Sequence, residues 1–376
     1  MKFYRYLLLL PLAAMLGACS DDPVIPGADY EFVDEQLAGN GGDYRGFYVL
    51  NEGAMGKNKC SLDWFDYPGH YYVRNIYSER NPDQIMELGD TGNDMAIHDG
   101  RLYIVVTGSH KVEVLDAYTA TRIGQVDISS PRRIAFDDTH AYVTSTVGGA
   151  GDRGSVVRFK LSDLSLDGTV GVGINPEGLA MHDGRLFVAN SYNYTTGEFD
   201  STVSVVDPKS MQVSYIIDTH AVNLQHIVTD SFGTLWVSSR GNYGDLAPCL
   251  VRLAKGDGDR YEPVETLYTA VDNLVMKGNK IYYYGTVYDA SWTPTTSIGV
   301  VDFTATTAEA SPLAVDITGI QALYSITANP STGEFYLTDA KNYASSGQLR
   351  CYSPDWNLLW TVNTGDIPGH ITFLKK

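Results

Sequence analysis

The chain has 376 residues, 44% of them hydrophobic and only 19% charged. That length supplies a sizeable core and excludes a small disulfide-stapled module, and the composition excludes global disorder. The formal net charge of −18 repels nucleic acid and anionic lipid headgroups, so neither is an expected partner of the folded body.

The N-terminus reads as a targeting segment. Lys2 and Arg5 precede an apolar run, Leu7 to Leu16, too short to persist as a membrane span. The run ends in Leu16-Gly17-Ala18-Cys19, which resembles a bacterial lipobox. That resemblance implies that residues 1–18 are a signal peptide and that Cys19 becomes the acylated N-terminus. The alternative is a plain secretory signal with Cys19 incidental. Ser20-Asp21-Asp22 resembles the surface-export signal of Bacteroidota lipoproteins, so the expected location is the outer membrane, held by the lipid alone and exposed at the cell surface. Residues 19–44, rich in Pro, Gly and Asp, read as a flexible tether, and residues 45–376 as one folded body. Cys60, Cys249 and Cys351 are widely spaced and odd in number, which fits buried small apolar residues better than zinc or paired disulfides.

The folded body carries a repeat. Phe47-Tyr48-Val49, Leu102-Tyr103-Ile104, Ala141-Tyr142-Val143, Leu186-Phe187-Val188, Leu235-Trp236-Val237, Ile281-Tyr282-Tyr283 and Phe335-Tyr336-Leu337 all centre on an aromatic residue. The six intervals from Tyr48 to Tyr336 average 48 residues. A short apolar strand and a polar turn precede most anchors, as in Met95-Ala96-Ile97-His98-Asp99-Gly100 and Leu179-Ala180-Met181-His182-Asp183-Gly184. Further strands follow, such as Lys111 to Leu115 and Thr202 to Val206. A period of this length built from short strands predicts an all-β, seven-bladed β-propeller of four-stranded meanders. The first unit lacks an inner strand, and Pro368 to Phe373 aligns with Pro131 to Phe136, so the C-terminal strand is expected to close the ring beside residues 47–50.

In such a ring, the segments entering the inner strands and the loops after the second strands share one face. The entrance segments hold Asn93/Asp94, Arg132/Arg133, Glu177/Gly178, Gln225/His226, Asp272/Asn273, Tyr324/Ser325 and Gly369/His370. This set is polar but mixed, and no metal site is expected in it. The loops are richer in Asn, Ser and Tyr, a chemistry that suits a large neutral or amide-rich ligand. Asn and Gly also simply make turns, and Tyr covers strand ends. Candidate ligand contacts from the loops are Asn51, Tyr192, Tyr194, Tyr243, Tyr288, Trp292 and Tyr343. Those from the entrance ring are Asn93, Arg133, Gln225 and His226. No nucleophile, zinc, calcium or phosphate-loop motif occurs, so no catalytic residue and no catalytic cofactor is expected, and the chain is not expected to be an enzyme.

The seven-unit pattern resembles the YncE-like propellers of surface lipoproteins. Val49-Leu50-Asn51-Glu52-Gly53, Gly89-Asp90-Thr91-Gly92-Asn93-Asp94-Met95 and Leu102-Tyr103-Ile104-Val105-Val106 are similar to segments of the BtuG-type lipoproteins of Bacteroidota, which capture cobalamin and cap the TonB-dependent transporter BtuB. The resemblance spans about residues 45–376. It implies binding of vitamin B12, or another corrinoid, across the loop face, and delivery to a BtuB-like outer-membrane transporter. The alternatives are a surface-adhesion or protein- and glycan-interaction scaffold, and a propeller lactonase or lyase, for which His226, His370 and Glu177 are the only candidate residues.

Overall fold

Two of the Asp-Gly pairs, each between a first and a second strand, adopt the turn their backbone freedom favours. Asp99 and Gly100 lie at φ 47° and 73°, and Asp183 and Gly184 at 50° and 69°. Two successive positive φ values match the twist of the flanking strands and give tight hairpins. In the computed structural model, which describes residues 29–376 except Ile85, Met86, Ala150, Asp152, Ala290 and Trp292, these hairpins build seven antiparallel sheets. The signal peptide, Cys19 and Trp292 lie outside the described residues.

The second blade shows the pattern. Gly92–His98 is innermost, followed outward by Arg101–Val106, Lys111–Asp116 and Arg122–Asp127. The third to seventh blades begin with inner strands Pro131–Phe136, Leu179–His182, Leu224–Thr229, Asn273–Lys277 and Leu323–Ala328. The first blade takes its inner strand from the C-terminus. Pro368–Lys375 pairs antiparallel with Tyr44–Asn51, Phe47 opposite Phe373 and Val49 opposite Ile371. Each inner strand touches the next round a closed ring, so the seven-bladed propeller is closed by its last strand.

The anchor aromatics explain what holds the blades together. Tyr48, Tyr103, Tyr142, Phe187, Trp236, Tyr282 and Tyr336 fall one into each of seven separate hydrophobic clusters, each cluster shared by two adjacent blades. All but Tyr282 are buried. Side chains alternate along a strand, so one anchor per second strand points an aromatic ring of every blade into the same inter-blade layer. The Tyr48 hydroxyl also donates to the Ala117 carbonyl of the next blade at 2.9 Å. Cys60, Cys249 and Cys351 are buried free thiols.

The tether reading is corrected over residues 29–44. Tyr30–Phe32 pairs with Tyr71–Val73 as a fifth, outermost strand of the first blade. Val33 and Ala38 are buried in the cluster between the first and seventh blades. Tyr71–Val73 would otherwise be an open edge, and the apolar residues scattered through this segment find a partner there.

Candidate functional site

The channel mouth lies where the inner strands begin, and its hydrogen bonds run between blades. Arg132 Nε and Nη2 both donate to Glu177 Oε1, at 2.9 and 2.6 Å. Arg133 Nη1 donates to the Asn93 carbonyl and lies 3.1 Å from His370 Nε2. Asp94 Oδ2 accepts from the Ile134 N–H at 2.9 Å. His226 Nε2 donates to the Asp272 carbonyl at 2.9 Å. Gly178 permits the close approach of the fourth and fifth inner strands, since a Cβ there would sit 2.5 Å from the Gln225 carbonyl oxygen.

Burial sets the charge states here. Burial, reinforced by the positive charge of Arg133, lowers His226 to about 3 and holds His370 well below its ordinary value. Both imidazoles are therefore neutral at neutral pH. Burial pushes Glu177 upward, but the Arg132 and Arg133 charges outweigh it and keep this carboxyl below its usual range. Glu52 is raised to about 7, because burial outweighs the Tyr324 hydrogen bond. The floor is thus a set of arginines compensated by carboxylates.

Tyrosines stand around this floor. Tyr192 stacks on Phe199 with ring centroids 4.3 Å apart, and Tyr194 meets it edge-on at 4.8 Å. The Tyr243 hydroxyl accepts from Asn223 Nδ2 at 3.2 Å. Tyr343 packs edge-on against Tyr324 at 5.9 Å. Tyr194, Tyr243, Tyr288 and Tyr343 remain 50–66% exposed. Such rings offer large contact area at small entropic cost.

Between the fifth and sixth blades the loop face opens into a cleft of about 450 Å³. Tyr243, Tyr288, Leu246, Pro248 and Val287 form apolar walls, and Arg240 and Asp272 supply charge. Arg240 Nε lies 3.8 Å from Asp272 Oδ1, and Asp272 Oδ2 accepts from the Thr286 N–H at 2.8 Å.

The sequence-derived candidates divide into two groups. Tyr194, Tyr243, Tyr288 and Tyr343 stand exposed on the rim, Tyr192 is half-buried behind Tyr194, and Arg133 and His226 lie in the floor. Asn51 is not on the exposed face where it was expected: it is fully buried, and its Nδ2 donates to Ser61 Oγ at 3.1 Å. It is the last residue of a strand that is buried on both faces from Gly46 onward. Gln225 is also buried, donating to Ser191 Oγ and Asn223 Oδ1 at 2.7 and 2.9 Å, so it ties loops together. Asn93 is buried, with its backbone carbonyl taken by Arg133 and its side-chain Oδ1 left without a hydrogen-bond partner. The candidate set left out Arg240, Asp272 and Glu52. Arg240 had a signal, a lone cation directly after a second strand in an acidic chain; Glu52 had none beyond its place beside Asn51. Among the described residues, no group of three or more His, Cys, Asp or Glu is placed to hold a metal ion.

Solved structures similar to this one are propellers of varied origin. A quinonprotein alcohol dehydrogenase-like protein from Bacteroides thetaiotaomicron aligns with TM-score 0.64 and 15% identity, covering 88% of this chain and 79% of that one. A functionally unknown protein from Desulfotomaculum acetoxidans gives TM-score 0.60 and 12% identity over 88% and 99% of the two chains. The periplasmic gluconolactonase of Pseudomonas aeruginosa gives 0.56 and 11% over 88% and 99%. At these identities the likeness shows the fold alone. No curated protein matches the chain. Residues 45–349 match the family described as a domain of unknown function, DUF5074, and the chain belongs to that family.

Proposed function

We propose that this protein is a lipid-anchored capture protein of the outer membrane, exposed at the cell surface. Its loop face binds a neutral, amide-rich ligand, with a corrinoid such as cobalamin as the leading choice, for delivery to a TonB-dependent transporter. The observation that carries the reading is the row of half-exposed tyrosines beside an apolar cleft, above a floor whose charges are internally compensated. Such a surface favours ring faces and peripheral amides over a strongly charged ligand. The segments around Asn51-Glu52-Gly53 and Gly89 to Met95, similar to those of BtuG-type lipoproteins, support the corrinoid choice and the transporter partner. The lipobox-like segment ending at Cys19 supports the anchor.

The test is calorimetric titration of cyanocobalamin into the purified protein. Saturable binding supports the reading. No binding at micromolar protein overturns the corrinoid choice and leaves a surface-adhesion scaffold ahead.

A second reading, a propeller hydrolase, is favoured by one observation. Glu52, raised to about 7, lies in the channel mouth with its Oε1 3.8 Å from His370 Nε2. A carboxyl poised near neutrality is suited to proton transfer. Lactone turnover abolished by Glu52→Gln would establish it.

A further inference from the structure

We infer that the cleft between the fifth and sixth blades is a subsite for a planar carboxamide carried on an apolar ring or chain. The inference deepens the capture reading and rests on it for the choice of face, but the chemistry comes from Arg240 and Asp272.

These two residues come from different blades. Arg240 follows the second strand of the fifth blade, Leu235–Ser239, and Asp272 precedes the first strand of the sixth, Asn273–Lys277. Their side chains are 35% and 26% exposed, half-sunk in the wall of the cleft. The 3.8 Å gap from Arg240 Nε to Asp272 Oδ1 is too long for a hydrogen bond. Arg240 Nε is buried and has no hydrogen-bond partner. Asp272 directs its other oxygen, Oδ2, to the Thr286 N–H. A guanidinium and a carboxylate oxygen thus stand side by side without closing on each other.

That pair selects by exclusion. A ligand carboxylate would be drawn to Arg240 but would meet the Asp272 charge. A ligand ammonium would be drawn to Asp272 but would meet Arg240. A group with an acceptor and a donor in one plane satisfies both: its carbonyl oxygen accepts from the guanidinium, and its N–H donates to Asp272 Oδ1. A primary carboxamide has this arrangement and adds no net charge to a partly desolvated site. The carrier is set by the remaining walls, Tyr243, Leu246, Pro248, Val287 and Tyr288, which bury apolar surface. A volume of about 450 Å³ admits one edge of a large ligand, or a whole small aromatic amide.

The test uses three small probes of nearly one shape on the whole protein: nicotinamide, nicotinate and 3-acetylpyridine. Dissociation constants come from ligand-observed NMR, with cyanocobalamin titrated in parallel. Nicotinamide is expected to bind at least about tenfold more tightly than nicotinate, which lacks the donor and carries a charge, and than 3-acetylpyridine, which lacks the donor. Arg240→Met should remove that preference, with circular dichroism and melting reporting the fold. The selectivity among probes on the wild type is decisive even if the variant misfolds. Nicotinate binding as tightly as nicotinamide overturns the proposal in favour of an anion site, and absence of binding by all three overturns it outright. Cobalamin binding without nicotinamide selectivity removes only the subsite. Nicotinamide selectivity without cobalamin binding retains the subsite and removes the corrinoid reading.

Discussion

Tyr324 of the seventh blade donates its hydroxyl to Glu52 Oε2 of the first, at 2.8 Å, across the seam where the two ends of the chain close the ring. The carboxyl is raised to about 7 because burial favours its neutral form. A carboxyl whose folded pKa exceeds its unfolded one binds more protons in the folded state. Its favourable contribution is complete below about 4.5 and is lost as pH rises through about 7. Glu52→Gln keeps an acceptor for Tyr324 and cannot ionise. The variant should match wild type at pH 4.5 and exceed its stability at pH 8, by up to ~3 kcal/mol. Urea unfolding at both pH values checks this, and a difference independent of pH would contradict it.

His226 acts with the opposite sign. Burial and the Arg133 charge lower it from 6.5 to about 3, so the unfolded chain binds more protons as pH falls below 6.5. Its stabilising contribution is present above that value and is lost as pH falls toward about 3. Between pH 7.5 and 4.5 this residue alone should cost wild type about 2–3 kcal/mol. His226→Gln, which retains a donor for the Asp272 carbonyl, should flatten that acid limb in the same urea series. An unchanged acid limb would show that the imidazole is not held neutral by the fold.

The closing strand should matter beyond its length. Phe373 packs on Phe47 at 5.5 Å and on Tyr336 at 5.7 Å, joining the first and seventh blades. Deleting residues 368–376 exposes the inner edge of Tyr44–Asn51 and uncovers this aromatic cluster. The expected cost is on the order of 5 kcal/mol. Thermal melting measures it, and an unaltered transition would mean the ring is held by other contacts.

The exposed tyrosines should carry ligand affinity. Replacing Tyr243 or Tyr288 by Ala should weaken binding roughly tenfold to thirtyfold, since aromatic anchors at an interface commonly contribute about 2 kcal/mol each. Raising the salt concentration should change affinity little, because a neutral ligand gains little from Coulomb attraction. Titrations of both variants at low and high salt test this. A steep salt dependence would point to a charged ligand or a protein partner.

The architecture is legible in the sequence because it is written in local, repeated terms. Strand alternation, Asp-Gly turns and a central aromatic every 48 residues on average specify a blade, and the missing inner strand before Tyr48 names its own replacement at residues 368–373. The exposed tyrosines were legible for the same reason, since a loop's place after a second strand puts it on one face. Other features depend on which chain segments become neighbours and which way each side chain turns. Asn51 lies one residue from Glu52, yet it points into the blade while Glu52 reaches Tyr324, 272 residues away in sequence. Arg240 and Asp272 become a pair only because consecutive blades set a loop beside a strand entrance. Tyr30–Phe32 joins the sheet because Tyr71–Val73 offers an unpaired edge, a vacancy no local pattern in residues 29–44 announces. Period and turn chemistry are local and repeat with the chain, whereas charge pairing and edge pairing are created by ring closure.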